Sequence, residues 1–188
     1  MRVRGIKMSI YIIGQALTLI SYIVFWVSRY MESKKNILLY DNISRCFAIL
    51  AFICLKTFDG IKNTLFVIVR NVVGNKISKQ SKKTKLSVFI VMIICLCLLY
   101  ITSFNNVATI CVFTCGVFTC GVFNLYGVIM CDEQGIRLYG LLGSGFYAMF
   151  LLFTGNYTGF ICELICAVIM YTSYRKYNKI DTTNSLAK

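Results

Sequence analysis

Five stretches of this chain, residues 8–28, 37–55, 86–102, 107–130 and 136–153, are apolar runs long enough as helices to cross the hydrocarbon core of a bilayer. That core is about 30 Å thick and takes roughly 20 helical residues. A soluble helix confines its hydrophobes to one stripe, whereas whole stretches here are apolar all round. Two further segments are weaker. Residues 61–73 are short and carry Lys62 and Arg70, and residues 157–174 contain Glu163. There is no proline to break any of them.

Composition points the same way. The chain is 58% hydrophobic and 14% charged, where a soluble domain carries about a quarter charged residues, and its mean hydropathy is +0.73. Lipid is the better solvent for such a chain, so the expectation is an all-α membrane protein. Arg2, Arg4 and Lys7 precede the first apolar run as in a secretory signal, but the run exceeds a signal core and no small-x-small cleavage site follows it. It reads as an uncleaved first span.

A net charge of +13 could suggest a phosphate-binding surface. The positions argue against nucleic acid as a partner and for the bilayer itself. Residues 75–85 (NKISKQSKKTK) hold five lysines and no acid, and Arg175, Lys176 and Lys179 follow the last segment. Lysine and arginine concentrate in cytoplasmic loops, which puts this loop and the C-terminus in the cytoplasm. Seven spans with the N-terminus outside place thirteen basic residues inside and five outside; six spans with the N-terminus inside place fifteen and three. Charge alone slightly favours six.

An internal repeat favours seven. Shifting the sequence by 99 residues aligns residues 31–76 with 130–175 without a gap, and eight of forty-six positions are identical. These include Ile37/Ile136, Tyr40/Tyr139, Phe47/Phe146 and Gly60/Gly159. Span, loop, span and basic terminus coincide in order, and the first span lies against residues 107–130. The expected build is about seven transmembrane helices as two parallel three-helix repeats joined by a linker helix, a 3+1+3 arrangement like that of SWEETs. Residues 8–76 form the first unit, 77–106 the basic loop and linker span, 107–179 the second unit, and 180–188 a cytoplasmic tail.

Charged and polar groups inside spans are costly and mark function by default. Asp41 and Arg45 stand four apart, acid first, the favourable order for a pair on one helix face. Glu163 and Gln15 sit at similar outer depths, with Lys62 near enough in depth to be a partner, and Asn63 lies in the weak third segment. Asn124 and Ser144 sit at inner depths comparable to Arg45, which aligns with Ser144 in the repeat. Gln15, Asp41, Arg45, Asn63, Asn124, Ser144 and Glu163 are therefore the substrate-pathway candidates. Interhelical hydrogen bonding would explain the neutral ones equally well. Arg70, near the cytoplasmic end, is expected to snorkel.

Ten cysteines and no histidine call for separate weighing. Nearly all the cysteines lie inside apolar segments, and Cys111/Cys115 and Cys162/Cys166 each share a helix face at a spacing of four. A soft-metal site is conceivable at that spacing, but small apolar residues that let helices pack closely are the preferred reading. The tandem VFTCG at 112–116 and 117–121 carries the same small-x-x-x-small signature. No cofactor or metal is expected. Nor is enzymatic activity, because no nucleophile stands with a base and no catalytic carboxylates are paired.

With these motifs in hand, the chain resembles the YgjV family of bacterial inner-membrane proteins. The resemblance rests on Gln15, the short basic loop SRYMESKKN (28–36), Gly60-x-x-Asn63 with Arg70 seven residues on, Gly159-x-x-x-Glu163, and the tail YRKYNK (174–179). It covers about residues 10–180 and implies a small multi-pass protein of the bacterial inner membrane, with no substrate or catalytic residue to carry over. The cysteine-rich fifth span and the lack of proline depart from the pattern. PnuC-type transporters share the layout but are expected to show paired tryptophans, and only Trp26 is present; PQ-loop transporters need a Pro-Gln pair. The leading functional expectation is a small-solute transporter. The alternative is a membrane scaffold or regulatory protein that transports nothing.

Overall fold

The computed structural model describes residues 2–56, 58–101, 118–153 and 157–186. Among the described residues there are seven helices and no strand: α1 (Arg2–Arg29), α2 (Lys34–Leu55), α3 (Phe58–Lys76), α4 (Lys82–Ile101), α5 (Thr119–Met130), α6 (Glu133–Phe153) and α7 (Tyr157–Leu186). Met8–Arg29 and Lys34–Leu55 are long and apolar enough to cross a bilayer. The described part of each predicted apolar segment lies on a helix. Residues 107–117 of the fifth, with Cys111, Cys115 and the first VFTCG copy, lie outside the described residues.

Local chemistry explains the boundaries. The Ser33 side chain accepts from the Asn36 amide and caps α2, and Asp132 Oδ1 accepts from the Gly135 amide at 3.0 Å at the start of α6. Each satisfies a backbone donor that the first helical turn leaves open. Ser81 does the same for α4 through the Thr84 amide at 3.3 Å. Lys56 ends α2 in the left-handed region (φ 59°, ψ 33°), with its amide on the Ile53 and Phe52 carbonyls.

Two boundaries differ from expectation. The basic stretch 75–85 is mostly helical, because α3 runs to Lys76 and α4 starts at Lys82, leaving only 77–81 as connection. Helix α7 continues beyond Tyr174 to Leu186, so the tail expected from 180 is largely helix. Lysine and arginine are good helix formers, and polarity alone does not stop a helix once started.

The connections 30–33, 77–81 and 131–132 gather at one end with the later part of α7. The Lys34 amide meets Glu133 Oε1 at 3.0 Å, and Lys34 Nζ meets the Cys131 carbonyl at 2.7 Å. Arg137, 1% exposed, donates to the carbonyls of Arg29 (3.3 Å) and Met31 (2.6 Å) and stacks on the Tyr177 ring. Tyr177 in turn donates to the Tyr30 carbonyl at 2.7 Å, and Ser173 to that of Arg29. Beneath this polar latch Ile37, Leu38, Val128 and Ile136 form a buried apolar plug. Lys34, Lys35, Lys76, Lys79 and Lys85 frame the same end. Burial and the adjacent Asp132 carboxylate push the Cys131 thiol up, which keeps it protonated and a poor nucleophile at neutral pH.

Helix α1 packs on α2, α2 on α3, α5 on α6 and α6 on α7; across the two halves α1 meets α7, α3 meets α5 and α2 meets α6. Helix α4 leans on α5 and α3. Outward faces are apolar: Ile12, Leu19, Ile53, Val69, Val91, Leu98, Met149 and Val168 are all more than half exposed. Inside, Asp41, Ser44, Arg70 and Asn71 are at most 5% exposed. A fold for water has the opposite arrangement. The outer apolar surface far exceeds what a soluble monomer shows.

Candidate functional site

The buried polar groups surround a cavity of about 430 Å³ to which all seven helices contribute. Helix α1 supplies Thr18, Ser21, Tyr22 and Phe25, and α2 supplies Ser44, Arg45, Ala48, Ala51 and Phe52. Asn63, Thr64, Phe66, Val67 and Arg70 come from α3 and Leu96 from α4. The second half contributes Cys120, Gly121 and Asn124 from α5, Ser144 and Tyr147 from α6, and Glu163 from α7. The lining mixes aromatic and small apolar side chains with hydroxyls, amides and charge.

At its basic-end side the cavity rests on a charge cluster centred on Asp41. Arg45 Nε donates to Asp41 Oδ1 at 3.2 Å, one helical turn away. The guanidinium groups of Arg70 and Arg29 stand 3.6 and 3.9 Å from Oδ2, and Asn71 Nδ2 donates to Oδ2 at 2.9 Å. Arg70 also holds Asn71 Oδ1 through Nε (3.1 Å) and Nη2 (3.0 Å), fixing the amide so that its NH₂ faces Asp41 and Asn42. Arg29 and Arg45 lie 4.2 and 5.1 Å from the centre of the Phe25 ring, a cation–π arrangement that gains strength when desolvated. Arg29 Nε is buried and has no hydrogen-bond partner among the described residues.

Glu163, 9% exposed, takes a hydrogen bond from the Ser144 hydroxyl. Asn124 is half-buried and donates to the Cys120 carbonyl at 2.9 Å and its sulfur at 3.3 Å. Gly143 permits this, because a side chain there would run into the Asn124 amide. On the other side of the cavity Ser44 and Ser21 hydrogen-bond between α2 and α1. Trp26 Nε1 donates to Cys166 Sγ at 2.9 Å.

Of the seven residues singled out from the sequence, Arg45, Asn63, Asn124, Ser144 and Glu163 line this one cavity. Asp41 lies behind its wall, 1% exposed, bonded to Arg45 as its i, i+4 spacing implied. Gln15 is not brought to the cavity; it is exposed on the face of α1 that carries Ile12 and Leu19. Depth along a helix says nothing about direction around the helix. Arg70 corrects the expectation of snorkelling: it is 5% exposed and turned inward to Asp41. Arg29 and Asn71 joined no expected constellation, because their meeting with Asp41 depends on how α1, α2 and α3 pack. No cluster of three or more ligating side chains occurs among the described residues, which include Cys162 and Cys166.

The offset of 99 residues recurs in the cavity wall. Ser21 and Cys120, Tyr22 and Gly121, Phe25 and Asn124, Arg45 and Ser144, Ala48 and Tyr147, and Thr64 and Glu163 are six pairs at that spacing, and both members of each line the cavity.

Apolar outside and charged within, this helical bundle has the character of a membrane protein. The chain belongs to the Imp-YgjV family of bacterial inner membrane proteins, whose model matches residues 12–180. No curated protein and no solved structure matches the chain.

Proposed function

We propose that the protein is a small-solute transporter that crosses the inner membrane seven times, with two parallel three-helix units, α1–α3 and α5–α7, joined by α4. In this reading the N-terminus is outside, the basic end and the C-terminus are in the cytoplasm, and the solute binds in the shared cavity. The observation that carries the reading is the cavity wall, where six pairs of lining residues stand 99 positions apart. A pathway on the axis between two repeats would be lined in that way, since equivalent positions of both copies face the axis. The matching contacts of α1 with α7 and α3 with α5 support the same arrangement. So does the gathering of three connections and most basic residues at one end. The reading includes no enzymatic activity, cofactor or nucleic-acid partner.

A cavity closed at the cytoplasmic end by the Arg137 latch corresponds to one side of an alternating-access cycle. Glu163 is the acidic residue in its wall, and a carboxyl group so placed can couple proton movement to solute binding. Glu163→Gln keeps the shape and removes the titratable charge. The variant is expected to fold normally while losing solute transport or its dependence on pH. A thermal-shift screen of the purified protein against metabolites supplies the ligand, since one at 100 times its dissociation constant adds about 2.7 kcal/mol. A scaffold would give no hit in that screen, and Glu163→Gln would then alter only stability or partner retention. Topology is tested separately. In a cysteine-free background, a cysteine beside Met1 should react with an impermeant maleimide in intact cells and one at Ser81 only after lysis; reaction of neither before lysis would support six spans.

A further inference from the structure

The charges around the cavity do not balance, and the imbalance points to the ligand. Arg29, Arg45 and Arg70 converge on one carboxylate, Asp41. Among the described residues Glu163 is the only acid in the cavity wall, and its carboxyl is engaged by Ser144. Three cations against these two acids leave at least one guanidinium charge without a fixed counter-charge among the described residues, and Arg29 and Arg70 are at most 5% exposed. Buried charges persist when they are paired or when something binds them.

The donors tell the same story. Each guanidinium carries five N–H groups and no acceptor. Among the described residues the hydrogen bond of Arg45 is the single one from Nε to Asp41, while its side chain, 29% exposed, reaches the cavity. Arg70 spends Nε and Nη2 on Asn71 and also lines the cavity. Arg29, buried behind them, has its Nε unpartnered. Both side chains line the cavity, and among the described residues the Nη groups of Arg45 and Nη1 of Arg70 make no hydrogen bond, so together they offer a fork of N–H donors suited to a carboxylate or another planar oxyanion. The rings of Tyr22, Phe52, Phe66 and Tyr147 also line the cavity and give it aromatic wall surface for the body of a ligand.

Resting on the transport reading above, we infer that the cavity selects a small organic anion, its carboxylate on Arg45 and Arg70 and its apolar or aromatic body against the aromatic wall. An inorganic anion would satisfy the fork and leave the wall empty. A cation would meet the excess positive charge.

The test uses three probes of one shape that differ in charge: benzoate, neutral benzamide and benzylammonium. Each is titrated calorimetrically into the purified full chain in nanodiscs. Benzoate is expected to bind saturably, with the other two at least about tenfold weaker, the size of one charge-assisted hydrogen bond. Arg45→Gln should lower benzoate affinity about tenfold or more and Arg45→Lys by less, because the charge stays and the fork is lost. The comparison of probes on the unaltered protein needs no variant to fold. Benzamide or benzylammonium binding as tightly as benzoate would overturn the anion class while leaving a solute-binding cavity in place. No binding by benzoate, acetate or phosphate at millimolar concentration would also overturn it. The transport reading itself falls only if the wider metabolite screen is empty as well, so the two failures are distinguishable.

Discussion

Helices α1–α3 and α5–α7 agree at their ends and crossings and disagree where they face the cavity. Ser33 and Asp132, 99 residues apart, cap their helices in the same way, and the Ile37 and Ile136 amides each meet the carbonyl of their own cap at 3.0 Å. Where α7 crosses α1, Ser173 donates to the Arg29 carbonyl; where α3 crosses α5, Gly74 comes close to the carbonyl of Val128. Gly74 and Ser173 share the offset, as do Arg29 and Val128. Facing inward, the first half has Asp41, Arg45, Arg70 and Asn71 where the second has Gly140, Ser144, Ile169 and Met170. Positions that determine backbone geometry tolerate little change, whereas cavity positions are free to specialise. Matching caps and crossings thus surround an asymmetric site, with the cations on α1–α3 and Glu163 on α7.

The largest expected effect comes from breaking that asymmetry at its centre. Asp41→Asn leaves the buried Arg29 and Arg70 and the half-buried Arg45 without a carboxylate, and removing one partner of a buried ion pair costs about 3–5 kcal/mol. The thermal midpoint and the cellular accumulation should fall sharply. Gly140→Ala, at the matching position of α6, adds a methyl that meets mainly the flexible Met170 sulfur, and the expected cost is below about 1.5 kcal/mol. The double variant Asp41→Asn, Arg45→Gln should recover only part of the loss, since Arg29 and Arg70 remain uncompensated. Full recovery would mean that those two do not depend on Asp41.

A smaller effect sharpens the comparison of crossings. A Cβ on Gly74 would collide with the Val128 side chain and lie 3.0 Å from its carbonyl oxygen. Gly74→Ala must therefore shift α3 from α5, at about 1–3 kcal/mol. Ser173→Ala deletes one hydrogen bond to a carbonyl that Arg137 still serves at 3.3 Å, so about 1 kcal/mol is expected. Thermal unfolding of both variants in the same detergent decides the order. Equal losses would mean that the α3–α5 contact is no tighter than the α7–α1 contact.

How much of this was legible follows from what each feature depends on. The helices were readable because an apolar run of the right length has few alternatives, and α3, the weakest, was obscured by Arg70, whose charge is answered by Asp41 on the preceding helix. Asp41 and Arg45 could be paired from the sequence since one helix places them together. Arg29, Arg70 and Asn71 could not, because their meeting depends on how α1, α2 and α3 pack. Gln15 misled for the converse reason: depth follows from sequence position, while the face it points from follows from packing. Asn124 and Ser144 were singled out by their positions along the spans, and both reach the cavity.

The smallest expected effect tests the agreement between the halves at the helix caps. Replacing an N-cap Ser or Asp by Ala typically costs about 1 kcal/mol, because one backbone donor of the first turn loses its acceptor. Ser33→Ala and Asp132→Ala remove the same bond, from Asn36 and Gly135 respectively. Asp132 should lose slightly more. Its carboxylate also lies at the positive end of the α6 dipole and lines the same depression as Lys34, Lys76 and Lys85. Salt distinguishes the two contributions, since exposed charges are screened over about 8 Å at physiological ionic strength. The thermal midpoint of each variant relative to the unaltered protein, measured at low and high salt, should show a salt-dependent loss for Asp132→Ala and a salt-independent one for Ser33→Ala. A salt-dependent loss at Ser33 would contradict the cap assignment, because a neutral hydroxyl contributes a hydrogen bond and no charge.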